Sequence, residues 1–413
     1  MTKQVLFIAF HFPPIQGSSG VHRSLAFTKY LPACGWQPTV LTVHPRAYES
    51  VREENLRLLP PTLRVERAFA LAANKHLAIA GRYPDFLALP DKWQSWIVGG
   101  VLRGFALCRE LKPAAIVSTY PIASAHVIGY ALRRLTGIPW LADFRDPMLQ
   151  NDFPHGAAVR RAFGWVERRV FAHADAVTVT TDGARRFYGD RYGAAATRKT
   201  TVIPNGFDPE MFPAPPGPAV PPPAGRPVKL LHSGLLYQDD RNPDPFFAAI
   251  AASKRDGALD AGRLQVTLRA SGNDDDYRAR TVRLGIDDIV HLEPPRPYQE
   301  ALQEMLDSDG LLIFQSSGVN KQIPAKLYEY LYARRPILGL TDPDGDTGRL
   351  LAELGIDMLT RLEDEAAIRA MLPAFIDQIR AGTVRLPPAA AVEKLSRRSG
   401  TEELARLLDD FAA

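Results

Sequence analysis

Apolar residues along this chain come in short compact runs, separated by stretches in which they recur every three or four positions. In the first half, Val5–Ala9, Thr39–Val43, residues 63–69, Ala114–Ser118, Trp140–Ala142 and Ala176–Thr180 are runs of branched and apolar residues. Runs of this length predict strands buried on both faces. Between them, Val21–Leu31, Trp96–Leu111, Ala123–Leu135 and Val159–Ala172 have helical apolar spacing. Strands alternating with helices predict a parallel, doubly wound α/β sheet.

Residues 213–227 break the pattern with closely spaced prolines. Such a segment cannot form a helix or an inner strand, and it reads as a semi-rigid linker. Beyond it the alternation restarts. Strands are predicted at Val228–His232, Gln265–Arg269, Ile289–Leu292, Leu311–Phe314 and Pro336–Leu340, and helices near Phe246, Tyr277 and Glu300. The final stretch, Thr401–Phe411, combines a threonine cap, early glutamates and helical spacing. Two α/β halves, 1–212 and 228–390, are expected around the linker, with a cleft between them and a last helical segment over 391–413.

A chain of 413 residues is longer than a single core usually serves. Its 46% hydrophobic and 23% charged content is that of a globular protein in water. The two cysteines, Cys34 and Cys108, form no metal-like cluster, and their scarcity suits a reducing compartment. The opening Met-Thr-Lys-Gln leads straight into a strand, so no signal peptide is expected. No apolar run reaches the ~18 residues of a membrane-spanning helix. A cytoplasmic location follows. The net charge of +4 permits an anionic ligand or membrane surface without requiring one.

The most informative stretch is 324–338. Lys326 and Glu329 lie three apart, on one face of a helical turn. They follow the loop Ser316–Asn320, which itself follows the strand Leu311–Phe314. A cation and an acid therefore sit in the first turn of a helix beyond the carboxyl end of a parallel strand, where open α/β sheets bind ligands. Helix amides and a lysine suit a phosphate there, and a carboxylate suits a vicinal diol.

In the first half, Gly17, Ser18, Ser19 and Gly20 follow the first strand, and small residues let a ligand approach the backbone. The competing reading is a turn with Ser19 as helix cap. The stretch has no G-x-G-x-x-G spacing, which speaks against a dinucleotide site. Arg23, one turn on, can reach an anionic group. Asp143, Arg145 and Asp146 cluster at a strand end; they serve an acceptor or neutralise one another. His126 either faces a ligand or is a satisfied core histidine. Asp274–Asp276 read as a helix start, not a metal site, and His11, His22 and His44 lack zinc-like spacing. Trp93, Trp96 and the apolar segment Val98–Leu107, with Arg160, Arg161, Arg168 and Arg169, suit contact with an anionic membrane. The alternative, favoured because one face of each helix must cover the sheet, is a buried aromatic helix and a solvated basic face.

Five ordered blocks together resemble the retaining glycosyltransferases of family 4, in the polysaccharide-assembly branch. They are Phe12–Arg23, Ile138–Pro147, His173–Val179, Val202–Asp208 and Ala325–Leu338. The resemblance implies a GT-B fold of two Rossmann-like domains, with the last helix packing back on the first. It implies transfer from a nucleotide sugar, UDP-linked before GDP-linked, to a glycan acceptor that is lipid-linked, at the inner face of a membrane. Neither a metal, another cofactor nor nucleic acid is implied. Carried onto this sequence, the donor side comprises Gly17, Ser18, Gly234, Arg241, Lys321, Lys326, Leu327 and Glu329. Arg241, Lys326, His126 and Asp143 take the catalytic positions, and Arg23, Arg145 and Asp146 the acceptor side. Two departures stand out. The family pattern places a glutamate seven intervening residues before Glu329, where this chain has Lys321. Leu235, not arginine, follows Gly234, and the nearest cation downstream is Arg241. A nucleotide-sugar epimerase of the same fold, or a nucleotide-sugar-binding protein that has lost catalysis, are the alternatives.

Overall fold

The computed structural model describes residues 2–16, 20–150 and 153–411. The chain divides into two compact units, residues 1–205 with 397–413, and residues 206–396.

The first unit contains, in chain order, β1 (Lys3–Ala9), α1 (Gly20–Tyr30), β2 (Trp36–Val43), β3 (Arg64–Ala68), α2 (Ser95–Leu111), β4 (Ala115–Thr119) and α3 (Ala123–Thr136). There follow β5 (Trp140–Arg145), α4 (Ala157–His173), β6 (Ala176–Val179), α5 (Asp182–Tyr192), α6 (Ala194–Lys199) and β7 (Thr200–Val202). The strands form one parallel sheet in the order β3-β2-β1-β4-β5-β6-β7. Strand β1 shows why its sequence reads as a continuous apolar run. Leu6 and Ile8 face a core with Leu41, Ile116, Ile128 and Leu132. Val5 and Phe7 face the opposite core with Leu25, Phe27 and Trp36. That second core is completed by Leu404 and Leu408 of the terminal helix, Arg397–Phe411, which packs on the first unit.

Helix α2 seats against α3 through Gly100 and Gly104. A methyl group on either would come within 2.5 Å of Ile128 or 2.6 Å of Leu132. Helices α2, α3 and α4 thus line one face of the sheet.

The second unit contains β8 (Val228–Ser233), α7 (Asp244–Arg255), β9 (Leu264–Arg269), α8 (Asp274–Leu284), β10 (Val290–Glu293), α9 (Tyr298–Asp307) and β11 (Gly310–Phe314). It continues with α10 (Ala325–Ala333), β12 (Ile337–Leu340), α11 (Asp346–Glu353), β13 (Leu359–Thr360), α12 (Glu365–Ala381) and α13 (Ala389–Glu393). Its parallel sheet runs β10-β9-β8-β11-β12-β13. The strand order reverses between β8 and β11, the position at which a crevice opens beyond the carboxyl ends. Asp274–Asp276 open α8, where the helix dipole favours acids.

Three details differ from the sequence reading. The chain passes between units at Asn205–Gly206 rather than in the proline-rich segment. The reason is aromatic: Phe207 stacks on Tyr332 at 4.5 Å and Phe212 meets the same ring edge-on at 4.6 Å, which fixes 206–212 to the second unit. The proline-rich segment is itself tied there, by Arg335 donating to the Gly217 carbonyl and Arg226 pairing with Asp309. The terminal helix starts a turn before Thr401. Thr401 is buried, and its hydroxyl donates to the Arg397 carbonyl instead of capping.

Gly100→Val is expected to lower stability by about 1–3 kcal/mol through overpacking against Ile128. A shift of the urea midpoint at unchanged slope checks this.

Candidate functional site

At the reversal point of the second unit, β8 gives way to Gly234, whose φ of 115° favours glycine. A side chain there would meet the Lys326 amine at 2.8 Å. Lys326 lies in the first turn of α10, which opens after Pro324 with no side-chain cap. Its Nζ is 3.0 Å from His232 Nε2. The other ring nitrogen, Nδ1, lies 2.9 Å from the Leu312 carbonyl. A carbonyl only accepts, so Nδ1 carries the proton and Nε2 accepts from Lys326. Burial, then the Lys326 charge, push the His232 pKa well below its ordinary value, which keeps the ring neutral.

Lys326 is held in the same way. Burial first, and then the charge of Arg241, push its pKa well below 10.5, while Glu329 pulls weakly in the other direction. Arg241 comes from the loop after β8. It lies 5.4 Å from the Tyr237 ring, donates to the Leu235 carbonyl at 3.3 Å, and has a buried Nε without a partner. Burial lowers its pKa too. Two half-buried cations therefore lie close together, with Asp240 acting on Arg241 and Glu329 on Lys326 too weakly to offset burial, an arrangement that a bound anion stabilises.

One turn along α10, Glu329 is 9% exposed, and its Oε1 accepts from the Tyr298 hydroxyl at 2.5 Å. Tyr330, on the neighbouring face, accepts from the Ser233 amide at 2.8 Å and pins the end of β8 against α10. Leu327 is wholly buried in the core, so only its backbone is near the site. Lys321 is exposed in the loop before α10. Among the described residues no group of His, Cys, Asp or Glu has the geometry to hold a metal ion.

In the first unit the charged cluster is largely self-satisfied. Asp143, 1% exposed, accepts from Arg23 Nε at 3.1 Å and Nη2 at 2.9 Å, and from the Thr119 and Thr178 hydroxyls at 2.8 Å each. Arg23 also donates to the Pro204 carbonyl at 2.9 Å. Burial alone would raise the Asp143 carboxyl, but the Arg23 charge and these hydrogen bonds outweigh it and hold it below its ordinary value. With its oxygens engaged, Asp143 is a structural anion, not a catalytic one, and Arg23 is its counter-ion rather than a free anion receptor. His126 is a core residue: it is fully buried, its Nδ1 lies 2.8 Å from Ser118 Oγ, and Phe144 packs edge-on at 4.8 Å. Burial lowers its pKa to about 4, so it stays neutral. Asp143 has no oxygen left for a ligand, whereas the buried Nε2 of His126 has no hydrogen-bond partner.

Arg145 and Asp146 are different. Arg145 has φ of 63° at a register shift between β5 and β6, donates to the Tyr120 carbonyl at 3.3 Å, and leaves its Nε without a partner. Asp146 accepts from Thr180 at 3.2 Å, and burial raises its pKa against the pull of Arg145. Burial and the Arg145 charge also lower His11, to about 4. Gly17, Ser18 and Ser19 lie outside the described residues. His232, Tyr298 and Tyr330 were not anticipated. A lone histidine in a strand and tyrosines in helices carry no spacing signal; their contacts span 94, 31 and 97 positions.

Two parallel-sheet α/β units with these connections are of the GT-B type. Residues 20–206 match the family described as Glycosyl transferase 4-like domain, in line with the resemblance that the motifs carry. No curated protein matches the sequence. Among solved structures, a sucrose-phosphate synthase from Thermosynechococcus elongatus is 15% identical with a TM-score of 0.65, covering 99% of this chain and 98% of that one. The N-terminal domain of a Candida albicans trehalose-6-phosphate phosphatase is 11% identical with a TM-score of 0.66, covering 100% and 98%. A UDP-GlcNAc 2-epimerase from Methanocaldococcus jannaschii is 11% identical with a TM-score of 0.56, covering 98% and 99%. At these identities the likeness is one of fold.

Asp143→Ala leaves the buried Arg23 without its counter-ion, and an unfolding free energy lower by about 3–5 kcal/mol is expected from denaturant melts. The depressed Lys326 pKa has a signed consequence as well. Between that value and 10.5 the unfolded chain binds more protons than the folded one. Stability therefore rises as pH rises through this window and is lost as pH falls. Lys326→Met should flatten that slope in melts recorded at increasing pH, and saturating pyrophosphate should flatten it in the wild type.

Proposed function

We propose that the protein transfers a sugar from a nucleoside-diphosphate donor, UDP-linked in preference to GDP-linked, to a lipid-linked glycan acceptor on the cytoplasmic side of a membrane. The observation that carries the reading is the Arg241–Lys326 pair, two desolvated cations, with Glu329 one turn further along α10. A diphosphate neutralises the pair, and a ribose diol reaches Glu329. The epimerase neighbour is named for a UDP-sugar, which favours uridine.

In the reaction, the bond between the anomeric carbon and the diphosphate oxygen breaks, and charge builds on the departing oxygen. Arg241 and Lys326 are already placed to receive it, and such preorganised donors are worth about 3 kcal/mol each at the transition state. His232 keeps the Lys326 amine aimed, because its Nε2 is fixed by the hydrogen bond that Nδ1 makes to Leu312. The acceptor hydroxyl attacks the anomeric carbon, and its proton passes to the leaving diphosphate. Retention of configuration rests on the likeness to family 4. Arg145 and Asp146 remain as acceptor-side groups, and Lys321 as a donor-side residue. The transfer needs no metal in this scheme, since protein cations take the developing charge.

A second reading, an epimerase, is favoured by the UDP-GlcNAc 2-epimerase neighbour. It predicts a change in the sugar without any acceptor, whereas a transferase leaves the donor sugar unchanged or hydrolyses it slowly. The founding test is a thermal-shift panel of UDP, GDP, dTDP and CDP on the wild type and Glu329→Ala. A nucleotide at about 100 times its Kd stabilises by about 2.7 kcal/mol. One nucleotide should raise the wild-type midpoint, and the variant should lose that rise. A panel in which no nucleotide, and no nucleotide sugar, moves the midpoint would remove the basis of the proposal.

A further inference from the structure

The face of the first unit built by α2, α3 and α4 combines exposed apolar side chains with unpaired arginines. On α2, Val98, Leu102 and Phe105 are 65%, 70% and 37% exposed. They lie at steps of four and three, one stripe of the helix, and Arg109 continues it. This is the opposite side of α2 from Gly100 and Gly104, which meet α3. On α4, Arg161, Trp165 and Arg168 repeat the same spacing with Arg169 beside them, and Trp165 is 39% exposed. Leu135, 60% exposed, and Arg134 end α3 between the two.

The charge is concentrated here. These three helices carry eight arginines and two glutamates, while the whole chain has 50 basic and 46 acidic side chains. Neither glutamate offsets the exposed arginines of the stripe: Glu167 is buried and Glu110 pairs with Arg64. Arg103 and Arg133 are engaged by Glu66 and Asp175. Arg109, Arg134, Arg161, Arg168 and Arg169 have no carboxylate partner among the described residues. Arg169 instead lies over Trp165 and Tyr130, at 5.5 and 5.9 Å from the ring centres. Between the ends of α2 and α3 a depression of about 430 Å³ opens, lined by Phe105, Cys108 and Ile138 with the cations Arg109 and Lys112 at its rim.

We propose that this face docks on an anionic lipid bilayer. A second copy of the chain is a poor occupant, because a two-fold pairing sets the unpaired arginines against themselves. Nucleic acid engages cations and stacking aromatics but gives the aliphatic Val98, Leu102 and Leu135 nothing to bind. A bilayer uses both kinds of group: aliphatic side chains enter below the headgroups, the indole sits at headgroup level, and the arginines meet lipid phosphates. No helix among the described residues is long and apolar enough to cross a membrane, so the contact is one of surface. The lipid-linked acceptor of the proposed function gives the contact its purpose, but the surface chemistry stands without it.

The test is vesicle flotation of the full chain with phosphatidylglycerol–phosphatidylcholine vesicles and with phosphatidylcholine alone. The wild type is expected to float with the anionic vesicles, and less so as salt is raised. Each arginine removed should cut partitioning about fivefold, so replacing Arg134, Arg161, Arg168 and Arg169 by serine should abolish it. Val98→Asp with Leu102→Asp should cut it at least about tenfold, consistent with lost apolar insertion. Circular dichroism and the nucleotide thermal shift should be unchanged in both variants, which separates this proposal from the donor-site reading. Failure of the wild type to float, equal flotation with neutral vesicles, binding indifferent to both variants, or salt-sensitive capture by duplex DNA without vesicle binding would each overturn it.

Discussion

The structure turns on how each unit disposes of the charge it takes out of water. A buried ion without a partner is costly, and a protein meets the cost by pairing the ion or by leaving it for a ligand. The first unit pairs: Asp143 accepts four hydrogen bonds, two of them from Arg23, and has nothing left to offer a substrate. The second unit leaves a vacancy of charge. Arg241 and Lys326 crowd together, the carboxylates Asp240 and Glu329 do not offset their burial, and each is pushed towards its neutral form. The contrast separates residues that resemble one another in sequence, charged groups at strand ends, into a keystone and a binding site.

Much of the fold was legible because parallel strands buried on both faces leave compact apolar runs. The run Val5–Ala9 and the run Leu311–Phe314 became β1 and β11 with little change. What escaped was local pattern diluted by other demands. Helix α5 is rich in charge and contains Gly183 and Gly189, and α12 continues through Pro373. Thr401 looked like a cap because hydroxyl residues often are, but burial inside the core beneath α1 gave its hydroxyl a different carbonyl.

The candidate site divides in the same way. Lys326 and Glu329 were readable because helical spacing and the preceding strand place them without further information. Asp143 was misassigned because sequence does not say which way a side chain points, and its carboxylate points into a ring of donors within the protein. His232 was invisible for the opposite reason. It sits in an otherwise apolar strand, and its importance comes only from a lysine 94 residues away. Tyr298 similarly acquires meaning through the carboxylate it clamps.

The route of the chain has a consequence for biosynthesis. The second unit begins at Gly206 and ends at Ser396, and Phe207 forms a bridge with Ser396, so its two ends meet. The first unit, by contrast, needs Leu404 and Leu408 from the last helix to close the core behind Val5 and Phe7. During synthesis the second unit has all of its residues before the first does. The part of the protein that emerges first from the ribosome is therefore the last to be finished. Until the final helix arrives, the core behind β1 lacks Leu404 and Leu408 and stays partly uncovered, a span of vulnerability set by connectivity and not by stability.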